Sequence, residues 1–130
     1  MSDGHDLRRP TTGDPLPDGT GWRALSDDEL LFRIESLGPD HVRDEDLVAV
    51  VRSGRHFFVR QEAAKRIRDP ERLKAFAADR HIGQILARQM RRDGDVEYLE
   101  NLLGQSRHLE VRNAARAQLR ILKAALARKQ

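Results

Sequence analysis

Apolar residues recur along this chain with the period of an α-helix. Leu30, Leu31, Ile34 and Leu37 follow at steps of one, three and three, which places them along one helix face. Val59, Ala63 and Ile67 keep a step of four. So do Ile82, Leu86 and Met90, and again Val111, Ala115 and Leu119. No useful stretch alternates with period two, and no Asn-Gly pair signals a hairpin of strands. The expected fold class is all-α.

Polar punctuation sets the expected boundaries. Ser26-Asp27-Asp28-Glu29 reads as a capping box: the serine hydroxyl accepts from the amide three residues on, and the glutamate reaches back. Gly38-Pro39 then stops the helix, so one amphipathic helix is expected over 26–37. Ser53-Gly54 ends a helix begun near Asp44. Asp69-Pro70 starts another, with aspartate as cap and proline at the first helical position. Asp79 marks a turn, Asp93-Gly94-Asp95 a turn and a new cap, and Gly104-Gln105-Ser106 the last break. The final helix is expected from about Arg107 towards Lys129. Residues 1–24 hold Pro10, Pro15, Pro17 and several glycines without apolar periodicity. They read as a disordered acidic tail, with Trp22 docking on the first helix or serving as the anchor of a linear motif.

The chain also resembles itself at a lag of 52. Residues 45–68 and 97–120 share Glu45/Glu97, Leu47/Leu99, Arg55/Arg107, His56/His108, Val59/Val111, Arg60/Arg112, Ala63/Ala115 and Arg68/Arg120. A weaker copy between them carries Leu73, Phe76, the pair Arg80-His81 and the stripe from Ile82 to Met90. The lag therefore reads as two units of about 26 residues, each a short helix, a tight turn and a longer helix. One such hairpin cannot cover its own apolar stripe. Stacked hairpins can, and about three are needed. Three are expected, at roughly 45–68, 69–92 and 95–122, with the helix at 26–37 covering one end and Ile121, Leu122, Ala125 and Leu126 the other. Ala63, Ala64, Ala87, Ala114 and Ala115 would let helices approach closely.

Phe58-Val59-Arg60-Gln61-Glu62-Ala63-Ala64 and Glu110-Val111-Arg112-Asn113-Ala114-Ala115 resemble the second helix of HEAT-like repeats. Variant leucine-rich repeats resemble the same stretch. The resemblance implies a short α-solenoid of three helical hairpins with an N-terminal capping helix over 25–130, most often a scaffold for another protein. It implies that second helices line a concave face, and that Arg60 and Arg112 pair with acids of neighbouring repeats. The middle copy departs from the pattern, because Gly83-Gln84-Ile85 replaces the Val-Arg pair.

Charge sharpens this picture. The formal net charge of +3 hides an asymmetry. Residues 1–44 carry five Arg and ten acids, whereas residues 45–130 carry 19 Lys+Arg and 11 acids. Twenty of the basic residues are arginine, whose planar fork suits carboxylates and phosphates. The candidate binding residues are the pairs Arg55-His56, Arg80-His81 and Arg107-His108 at the entries of the second helices, with Arg60, Arg88, Arg112 and Arg116 along them. The expected function is a non-enzymatic adaptor or regulator that takes an acidic protein partner on this basic face. Nucleic acid is the alternative partner, and the tail folding over the face a further one.

Other chemistry finds little support. There is no cysteine, which excludes disulfides and thiolate sites and points to a reducing, cytoplasmic setting. Nothing in the first 25 residues reads as a signal peptide, and no apolar run approaches the ~20 residues of a membrane span. His56, His81 and His108 invite a zinc site, but neighbouring helices lie ~8–10 Å apart and zinc holds nitrogens at ~2.0–2.1 Å, so a ladder of histidines cannot converge. The serines sit at caps and turns, and no phosphate loop is present. No catalytic residue, metal or cofactor is expected. Phe57 and Phe58 read as core, which leaves few aromatics for base stacking.

Overall fold

The computed structural model describes residues 21–36 and 42–129. Among them all regular structure is helical, in six α-helices and three short 3-10 segments. The chain divides into two compact units, Met1–Arg66 and Ile67–Gln130. The Gly38-Pro39 stop and all but the last four residues of the expected tail lie outside the described residues.

In the first unit, Gly21–Ala24 forms a 3-10 turn and α1 spans Asp27–Ser36. The capping box is in place: Glu29 N–H donates to Ser26 Oγ at 3.1 Å, and Ser26 N–H donates to Glu29 Oε1 at 2.8 Å. Three acids in the first turn meet the positive end of the helix dipole. Leu30 and Ile34 are fully buried. α2 (Asp44–Arg52) and α3 (Phe57–Lys65) pair as a hairpin, and α1 also packs on α3. Leu47, Val50 and Val51 supply the α2 face, and Val59, Ala63 and Ala64 the α3 face. Ser53 ends α2 by donating both its amide and its hydroxyl to Val50 O, at 3.1 and 2.6 Å.

In the second unit, Pro70–Phe76 is a 3-10 helix with Asp69 as cap, its carboxylate accepting from Glu71 N–H at 3.1 Å. α4 (Arg80–Gln89) begins on Asp79, whose Oδ1 accepts from the amides of His81 and Ile82 at 2.9 and 3.0 Å. A 3-10 turn at Asp93–Asp95 leads into α5 (Val96–Gln105), and α6 runs Leu109–Arg128. Asp95 stands at the cap position of α5, but its side chain serves elsewhere. Its carboxylate turns back to the Arg92 amide at 2.9 Å and makes no cap bond to α5. α4 packs on the 3-10 helix and on α6, and α5 packs on α6. Leu73, Ile82, Leu86, Met90, Leu99, Val111 and Ala115 are fully buried there.

The lag of 52 survives in the helix starts. α2 and α5 begin at Asp44 and Val96, and α3 and α6 at Phe57 and Leu109. Val59 and Val111 are each the third residue of their helix, and both are fully buried, as are Ala63 and Ala115. The middle copy differs for a packing reason. A Cβ on Gly83 would stand 2.9 Å from Val111 Cγ2 and 3.0 Å from Ala77 O. Glycine is needed where α6 presses on α4.

Candidate interaction site

The six Arg-His residues do not share one role. Arg55 turns inward, with its side chain only 15% exposed. It pairs with Asp27 Oδ1 at 2.9 Å and donates to Trp22 O and Arg23 O at 3.2 and 3.3 Å. Its guanidinium also lies 5.6 Å from the centre of the buried Trp22 ring. Trp22 is thus buried, and Arg55, expected as a binding residue, here ties it to the start of α1. Arg60 and Arg112, also expected as binding residues, each hold a main-chain carbonyl. Arg60 Nε donates to Val51 O and Arg112 Nη1 to Ser106 O, each at 2.7 Å. Each arginine reaches back across the bend of its own hairpin to a carbonyl that the end of the first helix leaves open. Both of these bonds run to main-chain oxygen.

The histidines also separate. His56 and His108 are the cap residues of α3 and α6, whereas His81 is the second residue inside α4, after the cap Asp79. His56 is exposed and stacks near Phe57 and Phe58, with ring centres 4.5 and 4.3 Å away. His108 Nε2 lies 3.0 Å from Ala78 O. That contact donates an N–H in the tautomer protonated at Nε2. Phe57 and Phe58 are not core: they are 44% and 36% exposed, because Val59, Ala63 and Ala64 take the inward face of α3 and the first two residues fall on the other side.

The remaining candidates are exposed. Arg80 opens α4 and Arg88 stands near its end, both in solvent. Arg116 donates to Asn113 Oδ1 at 2.8 Å on the surface of α6. Arg107 is exposed at the bend before α6. Arg88, Arg91 and Arg107 have no acceptor among the described residues.

Two concavities in the second unit gather these groups. A groove of about 720 Å³ between α4 and α6 is walled by Arg88, Arg91, Asn113, Gln118, Ala114, Ala117, Ile121, Leu122 and Ala125. Its α6 wall recurs at helical steps, so one face of α6 forms it. Ile121 is 59% exposed and Leu122 is buried. No acid lines the groove, α4 contains none, and α6 has only Glu110. Gln118 Nε2 crosses to Met90 O at 3.0 Å and fixes the two walls together. The second concavity, about 270 Å³, lies between the turn at Ala77-Ala78, α5 and the bend at Ser106–His108. Tyr98 lines it. Burial raises the Tyr98 phenol above its ordinary pKa, partly offset by Lys74, whose Nζ sits 4.3 Å from the ring centre.

Sequence reasoning named Arg88 for the groove but missed Ile121 as an exposed contact, although the steps to Val111, Ala115, Leu119 and Leu122 leave position 121 off the buried stripe. Among the described residues no cluster of His, Asp and Glu suits a metal ion, and no helix is long and apolar enough to cross a membrane. No protein-family model matches the chain, and neither a curated protein nor a solved structure does.

Proposed function

We propose that the protein is a helical-repeat adaptor or regulator, without catalysis of its own, that holds an acidic protein partner on the arginine-bearing face of α4 and α6. One observation carries the reading. The groove between these helices combines an apolar floor at Ala114, Ala117 and Ile121 with two exposed arginines, Arg88 and Arg91, and no acid. Apolar contact supplies affinity without direction, and a single sign of charge selects the partner and speeds encounter. The α6 stripe from Ala114 to Ala125 covers about 16 Å at 1.5 Å per residue, enough for three turns of a partner helix. Nucleic acid remains the alternative occupant, favoured by the same arginines and by a sequence pI of about 9.8.

The test uses the full chain and two labelled probes: an acidic amphipathic peptide with leucines at helical spacing, and a short DNA duplex at low salt. The peptide should bind, and Arg88→Glu with Arg91→Glu should weaken it at least ~tenfold, about 1.4 kcal/mol. Ile121→Asp should weaken the peptide by a similar factor, since it removes apolar contact and adds a like charge. Duplex binding that falls steeply with salt and ignores the apolar loss at Ile121 would replace the protein partner with nucleic acid.

A further inference from the structure

We propose that the concavity beside His108 is a second, separate binding site, for a carboxylate carried on an apolar body. Size comes first. At about 270 Å³ it exceeds the ~150 Å³ cavity that accommodates benzene, so it takes a ring or branched side chain together with a charged group. Its floor is apolar: Ala77, Leu102 and the ring of Tyr98. Its rim is polar and of one sign. Arg107 is exposed and without an acceptor among the described residues, and no aspartate or glutamate lines the space. A guanidinium pairs with a carboxylate through two parallel bonds, which gives direction as well as attraction.

α5 sets the neighbouring donors. Asn101 and Gln105 line the cavity four residues apart, so their amides share one helix face and offer N–H groups alongside Arg107. The site is also preformed. His108 Nε2 to Ala78 O at 3.0 Å ties the bend that carries Arg107 to the opposite wall, which lowers the ordering cost of binding. Tyr98 on this wall is half-buried, and that burial is what raises its phenol pKa. The same chemistry occurs in a free small acid and in the last residue of a polypeptide.

Calorimetry on the full chain separates these sources and tests the site. The probes are N-acetyl-leucine and N-acetyl-phenylalanine, their amides, and a hexapeptide ending in leucine with a free or an amidated terminus. At least one free acid should bind with Kd of about 1 mM or tighter, and its amide about tenfold more weakly. Arg107→Gln should remove that preference, Arg107→Lys should restore part of it, and Ala78→Phe should fill the space and abolish binding. Thermal melting checks that each variant is folded. Binding by the hexapeptide alone assigns the site to chain ends, and binding by the single residues assigns it to small acids. Equal affinity for acid and amide, an unchanged Arg107→Gln variant, or no binding by any probe overturns the proposal. Because Arg88, Arg91 and Ile121 lie outside this cavity, their variants leave its binding intact, so the two sites fail independently.

Discussion

Arg55 shows how much one side chain holds in the first unit. It joins the start of α1, the chain before it and the entry to α3 through Asp27, the Trp22 and Arg23 carbonyls and the indole face. Arg55→Ala should therefore cost about 1–3 kcal/mol, read as a lower midpoint in urea. Arg55→Lys should recover little, because an ammonium cannot span these acceptors in a plane. The hairpin arginines make the opposite kind of prediction for binding. Arg60→Ala and Arg112→Ala each leave a carbonyl open and should lose about 1–2 kcal/mol of stability, while the affinity of the α4–α6 groove for an acidic peptide stays the same. These assignments were not legible in the sequence. Val-Arg at equivalent places was visible, but an arginine reaches far enough to choose between solvent, an acid or a carbonyl six to nine residues back, and spacing alone does not decide among them. Capping was legible at Ser26 and Asp69, because donor and acceptor lie within three residues, whereas Asp79 read only as a turn. Asp95 defeated that logic, since the Arg92 amide offered an equally local partner on the other side.

At the scale of the element, the contact between α4 and α6 turns on Gly83. Alanine there would ordinarily gain about 1 kcal/mol of helix propensity. The stiff Val111 side chain and the Ala77 carbonyl stand where its Cβ would go, and overpacking costs about 1–3 kcal/mol. Gly83→Ala should thus destabilise the protein on balance, and Gly83→Ala with Val111→Ala should cost less than the sum of the two, a coupling that a double-mutant cycle measures. The hairpins themselves were readable from the lag of 52, because burial of Val59 and Val111 imposes the same register twice. The middle copy was readable only in part. Its first helix is 3-10 over Pro70–Phe76, and its Val-Arg is missing because the neighbouring helix occupies that space.

Across the whole molecule, acid should act through carboxylates held in their charged form. Glu29 sits below its ordinary 4.5 because the Ser26 amide and hydroxyl donate to it. Glu71 sits below 4.5 because Lys74 and then Arg92 pair with it. A group whose pKa is lower in the folded state adds stability above its ordinary value and loses it as pH falls through the lowered one. The melting temperature should therefore fall as pH drops below about 4.5, and Glu29→Gln with Glu71→Gln should flatten that fall. The arginine-rich face belongs to this scale too: the charge asymmetry between residues 1–44 and 45–130 was plain in the sequence, but which arginines stay in solvent depended on which carbonyls the bends left open. Those bends have a consequence for rearrangement of the gene. Each of the two similar hairpins closes its own corner with its own arginine, from Arg60 to Val51 O and from Arg112 to Ser106 O. Copying or transplanting such a hairpin carries the fastening along with the corner, so lengthening or shortening the chain by whole hairpins leaves no severed bond at the bend.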